Sequence, residues 1–79
     1  MINVKVFDIT QSRQLMMSVE SSYTKAVTEL IVESISDIPA EGTKISFSDN
    51  VIYKVVSVMV KYDDNKIFEV IVDIVKTRR

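Results

Sequence analysis

Three groups of side chains in this 79-residue chain have the type and spacing for chemistry. Glu29, Glu33 and Asp37 fall four apart, a spacing that lines carboxylates along one face of a helix. Paired carboxylates can act as general acid and base or hold a divalent cation through oxygen. Asp63-Asp64-Asn65 is a run of oxygen ligands, but it lacks the glycine and distal glutamate of an EF-hand loop and is fully explained as a hairpin tip. Lys54, Lys61, Arg78 and Arg79 could contact phosphate, with Tyr62 stacking on a base or nucleotide. They are the candidate ligand-binding set.

The residues that most often do chemistry are absent. Without cysteine or histidine there is no disulfide, thiolate, imidazole ligand or common general base, and no G-x-S-x-G elbow supplies a serine nucleophile. The expectation is a protein that is not an enzyme and has no cofactor and no metal site. A formal net charge of −1 creates no field toward phosphate backbones, so no general nucleic-acid binding is expected. No apolar run approaches the roughly 20 residues of a membrane span, and MINVKVFDITQ has no basic segment leading into an apolar core. A cytoplasmic location without membrane contact is expected.

The elements that must position these residues begin with the long apolar ribbon over residues 51 to 76. Val56, Val58, Val60 and Tyr62 alternate on one strand, and Phe68, Val70, Val72 and Ile74 on the next. The two sets share a face only if paired residue numbers sum to an even value, as with Val60 opposite Phe68 and Val58 opposite Val70. That parity predicts a three-residue loop, Asp63-Asp64-Asn65. The other face carries Tyr53, Val55, Met59, Ile67, Ile71 and Val75. It is too apolar for a plain solvent face, so either the same chain covers it or another chain does. These six are the candidate interaction residues. By the same alternation Lys54 and Lys61 project from opposite faces.

Upstream, Ile2, Val4 and Val6 alternate against Asn3 and Lys5 as a first strand, and Thr43 to Ser48 reads as a short strand with Ile45 and Phe47 aligned. The only proline and only glycine lie close together, in Pro39-Ala40-Glu41-Gly42. Tyr23, Ala26, Val27, Leu30, Ile31 and Ile35 follow three-four spacing, which predicts an amphipathic helix over about residues 22 to 36, ending before Pro39. The β-branched Val27, Thr28, Ile31 and Val32 oppose it. Leu15, Met16 and Val19 either extend that helix back to about Gln11 or form a second strand.

The expected fold is therefore one α+β domain over residues 1–79. It has a small antiparallel sheet of four or five strands, a long C-terminal hairpin and one amphipathic helix; an all-β small barrel is the alternative. A chain of this size buries only about 60–65% of its unfolded surface, and with 47% apolar residues oligomerisation is the plausible route to more.

The stretch DIPAEGTKISFSDNVIYKVVSV, with the apolar strand that follows it, resembles a pattern found in short β-rich accessory proteins of bacteriophages and other mobile elements. There a strand leads through Pro-x-x-Gly to a short strand, a tight turn and a Tyr-Lys-Val strand. The resemblance covers about half of the chain and carries no functional residue across. It implies an accessory protein that binds and blocks other proteins. The expected function is a non-enzymatic protein-interaction module, an inhibitor or assembly factor, whose partners are itself, as a homodimer or larger, and another protein. The alternative is an oligomeric binding protein that sequesters a small anionic ligand such as a nucleotide.

Overall fold

Val70, Ile71, Val72, Asp73 and Ile74 are consecutive and all buried, so this stretch is covered on both faces, as a central strand must be. In the computed structural model, which describes residues 1–14, 26–47 and 50–77, it forms the middle of β5 (Lys66–Lys76). β5 pairs antiparallel with β4 (Ile52–Asp63) on one side and parallel with β1 (Ile2–Asp8) on the other. With β2 (Thr28–Val32) beyond β1 and β3 (Lys44–Ser46) beyond β4, they make a curled, mixed five-stranded sheet of order β2-β1-β5-β4-β3.

The protein is mostly β, and α1 (Thr10–Gln14) is the only α-helix among the described residues. Two expectations are corrected here. The sheet is mixed rather than antiparallel. The helix expected over residues 22 to 36 is absent from its described part, 26 to 36, where β2 runs antiparallel to β1 from Val6↔Thr28 to Ile2↔Val32. β-branching decides this segment, because Thr28, Ile31 and Val32 fit a pleated surface and β1 supplies the ladder. The curled sheet, like half a barrel, fits the all-β alternative. Residues 15–25, where a longer helix or a second strand was expected, lie outside the described residues.

The hairpin keeps the expected parity by another route. Asp63 pairs with Lys66, so the loop has two residues, and Asp64 (φ 49°) and Asn65 (φ 65°) both occupy the left-handed region of a type I′ turn. Lys61 then pairs with Glu69 while Tyr62 pairs with Ile67, which leaves Phe68 as an extra residue on β5. This bulge adds what a third loop residue would have added, and it sets Val58 opposite Val72 and Val60 opposite Val70. The expected partners were two residues out of register. A second bulge lies on β4, where Val56 is extra between the pairs Val55↔Ile74 and Ser57↔Asp73.

The Val56 bulge reverses the facing of everything before it. Tyr53 and Val55 join Val4, Val6, Val70, Val72 and Ile74 in the main core on the inner face, with Val58 and Val60 packed against them. Val56 instead packs with Phe7, Ile9 and Ile71 on the outer face. Ile38, Ile45 and Phe47 also pack against the inner core, and the Phe47 and Tyr53 rings lie 5.7 Å apart at 55°.

Local chemistry fixes the connections. Ser34 caps a 3-10 turn over Ile35–Asp37, and Ile38, held extended by the following proline, leads away from it. The Ala40–Thr43 turn closes with Thr43 N–H donating to the Ala40 carbonyl at 3.1 Å, and Gly42 takes φ 92°, open to glycine without strain. Asp8 accepts the Thr10 N–H at 2.9 Å and starts α1, while the Thr10 hydroxyl accepts the Lys76 N–H at 2.8 Å. This ties the ends of β1 and β5 together.

Two variants test the phase of the ladder by urea unfolding. Phe68→Ala keeps the residue count at a half-exposed position and is expected to cost about 1 kcal/mol or less. Deleting Phe68 removes the bulge, turns one strand's apolar set to the wrong face, and is expected to abolish the cooperative transition. Equal stability of the two variants would show that the bulge does not set the phase.

Candidate interaction surface

A sheet edge presents unpaired backbone N–H and C=O groups, and proteins usually protect such edges with brevity, lysine or proline. β3 is protected in this way, being three residues long and carrying Lys44. β2 has five residues, TELIV, with neither lysine nor proline, and among the described residues no strand flanks its outer side.

Exposed apolar side chains gather at this edge. Of the eight large exposed hydrophobic residues among those described, Val27 (45% exposed), Leu30 (36%) and Ile31 (65%) lie on or beside β2, and Ile35 (52%) lies in the 3-10 turn beyond it. The register with β1 sorts the strand. Leu30, opposite Val4, is on the inner face, while Glu29, opposite Lys5, and Ile31, opposite Asn3, are on the outer face. Ile35 is also one lip of an apolar groove of about 280 Å³ lined by Ile38, Pro39, Ala40, Glu41, Val58 and Val60.

The outer face beside this edge is held by charge. Lys5 Nζ lies 2.9 Å from Glu69 Oε1, and Lys61 Nζ 3.6 Å from Glu69 Oε2. The hydrogen bond from Lys5, reinforced by the charges of Lys5 and Lys61, holds the Glu69 carboxyl below its usual value despite partial burial. The same hydrogen bond and charge raise the Lys5 ammonium, with Glu29 adding to the effect. The bridge links β1, β5 and β4.

The six residues expected on one interaction face do not share one. Tyr53 and Val55 are in the inner core, and Ile67 packs against it. Ile71 is buried in the outer cluster, Val75 packs beside it, and Met59, opposite Ile71, is exposed. The Val56 bulge turns Tyr53 and Val55 inward, and the Phe68 bulge turns Ile67 inward.

The candidate ligand residues are not brought together either. The bulge turns Lys54, opposite Val75, to the same outer face as Lys61, but seven residues along β4 separate them by about 23 Å. Lys54 also faces Lys44 on β3, a repulsive pair, beside an open concavity of about 450 Å³ that Glu41 shares. Lys61 is paired with Glu69, and Tyr62 is exposed opposite Ile67. Arg78 and Arg79 lie outside the described residues. Glu29 is on β2, Glu33 in the bend after it and Asp37 in the 3-10 turn, so they do not line one helix face. Among the described residues no three acidic side chains gather as cation ligands, and no helix is long and apolar enough to cross a membrane.

Val27, Leu30, Ile31 and Ile35 satisfy the spacing of a helix's buried stripe, which hides their exposure. Their β-branched neighbours carried the signal for a strand. Comparison with protein-family models, curated proteins and solved structures finds no match to this chain.

Because the Glu69 carboxyl is held below its usual value of 4.5, its contribution is complete above that value and is lost as pH falls through the lowered one. The melting temperature of the native protein should exceed that of Glu69→Gln near neutral pH, and the gap should shrink and close as pH falls well below 4.5. A gap that persists there would mean that Glu69 acts through packing and not through charge.

Proposed function

We propose that the chain is a non-enzymatic protein-interaction module that works by strand addition at β2, as an inhibitor or assembly factor. The observation that carries this reading is that, among the described residues, the exposed Val27, Leu30 and Ile31 lie on or beside a sheet edge that lacks both lysine and proline. Strand addition draws affinity from main-chain hydrogen bonds along the edge and specificity from alternate side chains, which suits a five-residue strand with Leu30 on one face and Ile31 on the other. The resemblance of residues 37 to 58 to phage-type accessory proteins supports the same role. The interaction surface is thus moved from the hairpin ribbon to the opposite end of the sheet.

Ile31→Lys tests the reading. The side chain is 65% exposed, so the fold should keep its stability within about 0.5 kcal/mol, while a lysine on the edge opposes strand addition. Native mass spectrometry and affinity capture from cells should show loss of the partner or oligomer that the unaltered chain retains. Unchanged complexes with the variant would overturn the proposal.

A further inference from the structure

We infer that the hairpin edge at Val58 and Val60 is a second docking strand, and that its occupant is an extended peptide segment with alternate aliphatic residues flanked by lysine or arginine. This surface is separate from β2 and does not depend on β2 being a contact strand.

The ladder gives the direction of the backbone groups. Ile9 N–H donates to the Ile74 carbonyl at 2.9 Å, so Ile74 turns its peptide groups toward β1. Alternation along β5 turns those of Val72 and Val70 the same way. Val58 is opposite Val72 and Val60 is opposite Val70, so both point their N–H and C=O groups away from β5. The pairing of β3 ends at Lys54, and Thr43 and Gly42 take up Val55. Among the described residues no strand reaches Val58 or Val60, and their half-buried backbone groups have no ladder partner on that side.

The same two residues line the apolar groove, with Ile35, Ile38 and Pro39 across from them. A strand added antiparallel would bond Val58 and Val60 through two residues spaced two apart. Directly opposed side chains share a face, so both would enter the groove. Hydrogen bonds for affinity and pockets for alternate side chains then come from the same two positions, as strand addition requires.

Charge selects the occupant. Residues 33–43, which supply the far side of the groove, carry Glu33, Asp37 and Glu41 and no lysine or arginine. None of the three is in an ion pair among the described residues. Lys61, the lysine on this length of β4, is drawn over the outer face by Glu69 and so is not aimed along the edge. A basic strand is matched to this rim. A second copy of β2, with Glu29 and no basic residue, has the wrong charge.

Amide exchange of the full-length chain, followed by NMR, tests the edge. Without peptide, the Val58 and Val60 amides should exchange at least about tenfold faster than the Met59 amide between them, which faces β5. Two probes are then added: a short peptide alternating valine and threonine with lysine at each end, and its counterpart with glutamate at each end. The lysine-ended peptide should slow exchange at Val58 and Val60 with a dissociation constant of about 1 mM or below, and should bind about tenfold more tightly than the other. In a chain carrying both Asp37→Lys and Glu41→Lys, at exposed positions, that preference should reverse. No protection of Val58 and Val60 by either peptide at about 5 mM would overturn the docking edge. Equal affinity for the two peptides would overturn the basic occupant, and protection brought about by raised protein concentration alone would assign the edge to a second copy instead. Ile31→Lys should bind the lysine-ended peptide unchanged, so this inference and the β2 reading fail separately. Loss of binding in that variant would place the peptide on β2 and overturn the assignment to β4.

Discussion

The phase of the β4–β5 ladder is the constraint on which the rest of the structure depends. A strand has only two facings, so each residue inserted or removed exchanges the core side and the solvent side of everything beyond it. This hairpin uses one extra residue on each strand. Phe68 restores the parity that the two-residue turn would otherwise break, and Val56 turns Tyr53 and Val55 inward while moving its own side chain to the outer cluster. Bulges also bend strands and increase their twist, which accounts for the curl of the sheet around its inner core. β5 lies at the centre of this arrangement with both faces buried.

The local elements were legible where one pattern had one solution. The alternation of Ile2, Val4 and Val6 gave β1 its inner face, the 43–48 stretch gave β3, and Pro39 with Gly42 marked the turn that the backbone makes there. β2 was not legible in the same way, because Val27, Leu30, Ile31 and Ile35 satisfy helical spacing and strand chemistry together. Pairing with β1 resolves the choice, and pairing is a non-local fact. The parallel contact between β1 and β5 joins the first and last strands and leaves no local trace in either. The bulges were hidden for a third reason. Parity requires an even sum, but a longer loop and a bulge meet it equally well.

The candidate site inherits these limits. An interaction set drawn from strict alternation mixes inner and outer residues once Val56 bulges, so Val55 is core while Met59 is surface. The edge residues were visible as apolar, but only the order of strands in the sheet reveals that β2 is terminal among the described residues. Edge protection then separates the two ends of the sheet. The β3 end is short and carries Lys44 opposite Lys54, which discourages another strand, while the β2 end carries the single acidic residue Glu29 and no lysine.

Amide hydrogen exchange over residues 27–33, compared between the complex captured from cells and the chain stripped of its partner, tests the role of this edge most directly. If β2 is the contact strand, its protection should be higher in the complex while that of β1 and β5 stays constant. Fast exchange in β2 in both states, beside a fully protected β1, would contradict it.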